Sequence, residues 1–188
     1  SMASTKEIKA ANVLNNATTS TGGDGVTLLN TAHPTQNGNQ SNTLATAADL
    51  SETSLESILI QIADMKDDRG LRVAAQGTQL VIPTAYTFVA ERLLESQLRT
   101  GTADNDINAI KSGGYLPKGY HVMRRLTDAD AFFVTTDVPD GLKMFQRSAL
   151  KKGMEGDFET GNVRYKVRER YSFGVTDWRG VFGSEGAA

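Results

Sequence analysis

Cysteine is absent from this 188-residue chain, which excludes disulfides, thiolate metal centres and cysteine nucleophiles. Histidine occurs only at 33 and 121. Neither has an acidic or second histidine partner at ligand spacing, whereas transition-metal sites gather several nitrogen or sulfur ligands. Basic excess is also missing. Twenty Lys and Arg against 22 Asp and Glu leave a net charge of −2, which argues against a dedicated nucleic-acid binder. No apolar run approaches the about 18 residues of a membrane helix. Proline is scarce, at four residues, while glycine is abundant, at 18.

Catalytic patterns are missing too. There is no Gly-x-Ser-x-Gly elbow, and no serine, histidine and acid can be assembled with spacing support. Gly22-Gly23-Asp24-Gly25 lacks the Lys-Ser/Thr ending of a nucleotide loop and no strand leads into it, so it reads as a turn. Asp104-Asn105-Asp106 and the acidic run at 64–68 offer oxygen ligands, but neither adds the glycine and distal glutamate of a dedicated calcium loop. The expectation is a non-enzyme with no catalytic, cofactor-binding or metal-binding residues.

What is present stands near the carboxy-terminal end. From Val163 to Val175 the odd positions are apolar or aromatic except Glu169, and the even positions Arg164, Lys166, Arg168 and Arg170 are basic. Successive strand side chains point to opposite faces, so this reads as one long strand with a packed face and a basic face. Strands most often run about five or six residues, so a longer one suits an extended scaffold. The basic face has three readings: a solvated surface, salt bridging to acidic groups on neighbouring copies, or loose contact with nucleic acid. Like charges on one face repel, so partners across it are expected. Glu169, on the apolar face, would pair with a neighbour's arginine.

Upstream, residues 5–16 read as a short helix with Ile8, Ala11, Val13 and Leu14 apolar. Residues 17–48 are so polar that they read as loop or extended arm rather than core. The clearest helix covers 51–68, with Leu55, Ile58, Leu59, Ile62 and Met65 at helical spacing. Ser51 or an Asp49–Glu52 box caps it, and Gly70 stops it. Strands are expected at 71–75 and 79–83. A helix over 85–98 would carry Phe88, Val89, Leu93 and Leu94 inward. A long loop at 100–118 and strands at 120–124, 131–135 and 142–147 follow, with a last short strand at 178–182. Helices and strands that do not alternate regularly indicate an α+β architecture.

Several ordered stretches carry a resemblance: Asn12-Val13-Leu14-Asn15-Asn16-Ala17, Gly23-Asp24-Gly25-Val26-Thr27-Leu28-Leu29-Asn30-Thr31-Ala32-His33-Pro34, Leu94-Glu95-Ser96-Gln97-Leu98-Arg99-Thr100-Gly101-Thr102-Ala103-Asp104-Asn105-Asp106-Ile107-Asn108, Glu169-Arg170-Tyr171-Ser172-Phe173-Gly174 and Asp177-Trp178-Arg179-Gly180. Together they span nearly the whole chain, which resembles the major capsid proteins of tailed bacteriophages, Mu-like type. The resemblance implies the Hong Kong 97-type fold. Residues 1–70 would be part of a peripheral domain, 71–145 the axial domain, 146–175 a long peripheral strand and 176–188 a return to the axial sheet. The family's amino-terminal arm, extended loop and most of its spine helix precede the first residue here. With Ser1-Met2 resembling a cloning scar, the chain is expected to be a carboxy-terminal fragment.

The implied function is structural: a subunit of an icosahedral head that self-assembles into pentamers and hexamers around double-stranded DNA. Partners would be copies of itself, non-specifically the packaged DNA, and scaffolding, portal or decoration proteins, with no membrane. Assembly would take place in the bacterial host cytoplasm and the product would be the virion. Asp104, Asn105 and Asp106 would lie near the capsomer axis, and Arg164, Arg168 and Arg170 at lateral contacts. The alternatives are an encapsulin-like compartment shell and a phage-encoded binding or scaffolding module.

Overall fold

The computed structural model describes residues 2–99, 106–156, 159 and 161–187. Its elements are α1 (Met2–Asn15), β1 (His33–Thr35), β2 (Gly38–Gln40), α2 (Glu52–Ala63), β3 (Gly77–Ile82), α3 (Thr87–Glu95), α4 (Ala109–Gly113), β4 (Tyr120–Val122), β5 (Phe132–Thr136), β6 (Leu142–Gly156), β7 (Val163–Val175) and β8 (Val181–Ser184). Helices and strands are mixed without regular alternation, so the α+β expectation holds. None of the described helices is long and apolar enough to cross a membrane.

The centre is a four-stranded sheet in the order β4-β3-β5-β8. β3 runs parallel to β4, and β5 is antiparallel to both β3 and β8. Its strands are apolar at consecutive positions, and the period-two alternation sends them to two separate cores. Leu80, Ile82, Phe132, Val134 and Phe182 pack with Leu55, Ile58 and Ile62 of α2 and Ala90 and Leu94 of α3. Val81, Phe133, Ala131 and Val181 pack on the other side with Leu14 at the end of α1 and with Ala17, Leu28 and Leu29. The sheet is therefore covered on both faces.

That second cover corrects the reading of 17–48 as loop outside the core. The stretch is poor in apolar residues, but the few it has are buried, and His33 and Asn42 are fully buried with them. Its polar groups are satisfied internally. Asn42 Nδ2 donates to the carbonyls of Leu28 at 2.6 Å and Val181 at 3.0 Å, and Asn42 Oδ1 accepts from Asn30 N at 2.9 Å. Such pairing is what lets a polar segment lie in a core. Gly22 to Gly25 form the expected turn, with Gly25 N donating to Gly22 O at 3.3 Å.

Other differences have local causes. α2 begins as expected behind Ser51, whose Oγ accepts from Ser54 N at 3.2 Å while Ser54 Oγ accepts from Ser51 N at 2.9 Å. It ends at Ala63, short of 68, because Asp67 Oδ1 takes Arg69 N and Leu71 N into a separate turn. Gly70, at φ +86°, closes that turn. Residues 71–75 make no strand beyond a lone Lys66–Arg72 bridge, since both edges of β3 are already taken by β4 and β5. α3 starts only at Thr87, after a 3-10 turn at Thr84–Tyr86. Its closest approach to the core is at Ala90, and Phe88 points outward, 74% exposed.

Among the described residues Phe132 and Phe182 are the largest fully buried side chains. Phe132→Ala is expected to lower unfolding free energy by about 3–5 kcal/mol, measured by denaturant titration. A loss below about 1 kcal/mol would contradict the packing described.

Candidate assembly interface

β6 and β7 form their own two-stranded antiparallel sheet, separate from the central one. Pairing runs from Leu142 opposite Val175 to Gly156 opposite Val163. The boundaries of β7 are those legible from its alternation, but β6 extends nine residues past the expected end at 147. Its pattern hides this, because register shifts at Gln146–Ser148 and Ser148–Lys151 each insert an extra residue and break the period of two. At about 3.3 Å per residue the ribbon is roughly 40 Å long.

The ribbon's root is closely packed. Gly141 and Gly180 lie backbone to backbone, so that a Cβ added to Gly141 would stand 2.7 Å from Gly180 Cα. Thr176 N donates to Gly141 O at 3.1 Å and Asp177 N to Asp140 O at 3.2 Å. Asp140 adopts φ +71° in the turn that feeds β6. Its sequence, Val138-Pro139-Asp140-Gly141, is rich in turn-forming residues.

Two faces follow from the pairing. The odd residues of β7 share a face with Leu142, Met144, Lys152 and Met154, and the even ones with Ser148, Lys151 and Glu155. Near the root the odd face lies under α1. Lys6 Nζ donates to Glu169 Oε1 at 2.7 Å, and the Glu169 side chain is only 6% exposed. The same ammonium sits 5.1 Å from the Tyr171 ring centroid, close enough for a cation–π contact. Glu169 thus pairs within its own chain, and the expected pairing with a neighbour's arginine is corrected. The residue that breaks the apolar alternation anchors α1.

Beyond Glu169 the odd face is not packed, contrary to the expected packed face. Met154 is 69% exposed, Tyr165 77% and Val163 52%. A two-stranded sheet has no second layer of its own, and α1 reaches only the proximal part. The even face presents Arg164, Lys166, Arg168 and Arg170, all exposed. Lys151 stands directly opposite Arg168, and Glu155 opposite Arg164. Among the described residues none of these four β7 cations lies in an ion pair. The distal ribbon therefore carries an exposed, mostly apolar face and an exposed, mostly basic one.

The acidic loop site is only partly visible. Asp104 and Asn105 lie outside the described residues. Asp106 is exposed, and its carbonyl accepts Arg99 N at 2.9 Å. Leu98 and Ile107 pair across the base of the loop. Buried Asn108 holds that base: its Nδ2 donates to Leu93 O at 2.7 Å and Ser96 O at 3.0 Å, and its Oδ1 caps α4 through Ile110 N at 3.1 Å. Among the described residues no three His, Cys, Asp or Glu side chains are placed to hold a metal ion.

The sequence profile of a phage capsid protein family matches residues 1–184. The chain belongs to that family. No curated protein sequence matches it. Among solved structures, it is similar to a chain described as the capsid of an empty GTA particle computed with C5 symmetry, at 12% identity and a TM-score of 0.43. The match covers 94% of this chain but 62% of that one.

For a capsid-family chain, the uncovered ribbon is the most conspicuous surface, and its attachment to the body can be tested. Lys6→Met and Glu169→Gln should each destabilise the α1–ribbon contact, with a coupling of about 1–2 kcal/mol in a double-mutant cycle. Additive effects of the two substitutions would mean that the pair does not tie α1 to β7.

Proposed function

We propose that this chain is a structural subunit of an icosahedral phage head of the Hong Kong 97 type, and that the β6–β7 ribbon is its lateral contact arm. The carrying observation is the ribbon itself, roughly 40 Å long, with both distal faces exposed in the isolated chain. An isolated two-stranded sheet is marginal in water, and a flat apolar strand face invites association. A second copy supplies cover for both faces. In this reading the central sheet and its helices form the axial unit, the ribbon and α1 the peripheral one, and Asp104, Asn105 and Asp106 lie near the capsomer axis.

Charge supports the same geometry. Asp130 precedes β5 and Glu185 follows β8, side by side at one end of the central sheet because Phe132 pairs with Ser184. Asp49 joins them by accepting Ala187 N at 2.8 Å. Burial is the main reason the Tyr86 phenol titrates above its ordinary value, and the field of Asp49, Asp130 and Asp128 raises it further. Among the described residues these carboxylates make no ion pairs. A body with an acidic end and an arm with a basic face fits head-to-tail contact. Repeated around an axis, such contact closes rings, here pentamers and hexamers, and then a shell around double-stranded DNA in the host cytoplasm. Contacts of modest individual strength suffice when many act together.

The test is association of the purified chain, followed by size-exclusion light scattering and negative-stain microscopy. Wild-type protein should form rings or larger particles at high concentration, and Arg168→Glu with Arg170→Glu should shift it to monomer while leaving the fold intact. Unchanged association of the charge-reversed protein would remove the ribbon from the interface. A monomer at every concentration and salt would count against self-assembly by this chain.

A further inference from the structure

His33 is fully buried, and the assembly reading makes no use of it. Its ring stacks on Trp178, with centroids 4.3 Å apart and planes inclined by 6°. Nδ1 lies 2.6 Å from Asp24 Oδ2, and Nε2 lies 3.1 Å from Asn42 Oδ1. The question is which ring nitrogens carry protons.

The backbone answers for Asn42. Its amide nitrogen faces the carbonyls of Leu28 and Val181, which need a donor, and its oxygen faces Asn30 N–H, which needs an acceptor. Turning the amide over would oppose like groups at all three contacts, so Oδ1 stays toward His33 and can only accept. An ionised Asp24 likewise can only accept. Both ring nitrogens must then donate, and only the imidazolium does so. A neutral ring would leave a lone pair facing Oδ1 or the carboxylate and lose one of the two hydrogen bonds. The surroundings support the charge. Asp24 is the directly facing ionised group, and the Trp178 indole supplies a π face. Arg179 lies over that indole at 4.6 Å but is itself neutralised by Asp68 at 2.5 Å and Asp177 at 3.5 Å. From β2, the residue paired with His33 is the uncharged Gln40.

We propose that His33 is a buried imidazolium clip, donating from both ring nitrogens, that fastens the 22–42 segment to the turn and strand at 178–183. The ring holds Asn42 through Oδ1, and the Asn42 carbonyl also accepts Gly183 N at 3.1 Å. Without the clip the polar cover would part from β8 while the opposite core stays packed.

The test is nitrogen NMR of the histidine rings in the intact chain, with exposed His121 as internal reference, together with amide exchange. In the wild-type chain both His33 ring nitrogens should carry protons, as both contacts require. Asp24→Asn keeps an acceptor but removes the charge, and it should lower the doubly protonated fraction about tenfold under the same conditions. The same substitution should lower exchange protection at Asn30 and Gly183. A single protonated nitrogen in the wild-type ring would overturn the clip. So would an Asp24→Asn chain with wild-type ring protonation, or with unchanged protection at Asn30 and Gly183.

Discussion

A two-stranded sheet cannot bury itself, and this constraint organises the molecule. Four strands find cover on both sides, α2 and α3 on one and the α1 end with Leu28 and Leu29 on the other. The remaining two long strands, β6 and β7, have only each other and, near their root, α1. Everything in the root acts to aim the ribbon. The Gly141–Gly180 approach leaves no room for side chains, and the Lys6–Glu169 pair fixes one face against α1. Past that pair, nothing among the described residues covers Met154, Val163 or Tyr165. For a capsid-family protein, this uncovered surface is what the proposed contact between copies would bury.

Charged pairs take over where apolar surface runs short. The segment before α2 is rich in Thr, Asn, Gly and Ser and cannot hold to the sheet by burial alone. It is fastened by directional contacts, His33 with Asp24 and Asn42 with the backbone of Leu28, Asn30, Val181 and Gly183. α1, with only Ala11 and Leu14 buried, is held to β7 by Lys6. Such tethers specify position, and unlike the apolar core they weaken with salt where they are exposed.

The sequence made some of this legible. The limits of β7 follow from strict alternation over Val163 to Val175, and Ser51 caps α2 because the residues behind it keep helical spacing. Alternation could not say whether the odd face would be covered, since that depends on how many strands join the sheet. β6 was read short because two register shifts interrupt its period. Phe88 was placed inward on helical spacing, but the small Ala90 brings α3 closest to the core and turns the larger ring out. His33 looked isolated because its carboxylate partner lies nine residues away, a spacing no regular element prescribes. Glu169 was recognised as an exception on the apolar face, but its partner, 163 positions away at Lys6, carried no local signal. The site residues Arg164, Arg168 and Arg170 were singled out from the pattern, and the structure places them together on one exposed face.

The central claim is that the distal ribbon is uncovered in one copy and covered in the assembly. Hydrogen exchange on β6 and β7, compared between isolated chains and assembled particles of the protein, addresses it directly. Amides of 150–156 and 163–168 should exchange quickly in the isolated chain and slow by about tenfold or more on assembly, while those of β3 and β5 stay slow in both. Equal exchange of the distal ribbon in the two states would contradict the account, because it would leave both faces in water after the shell has closed.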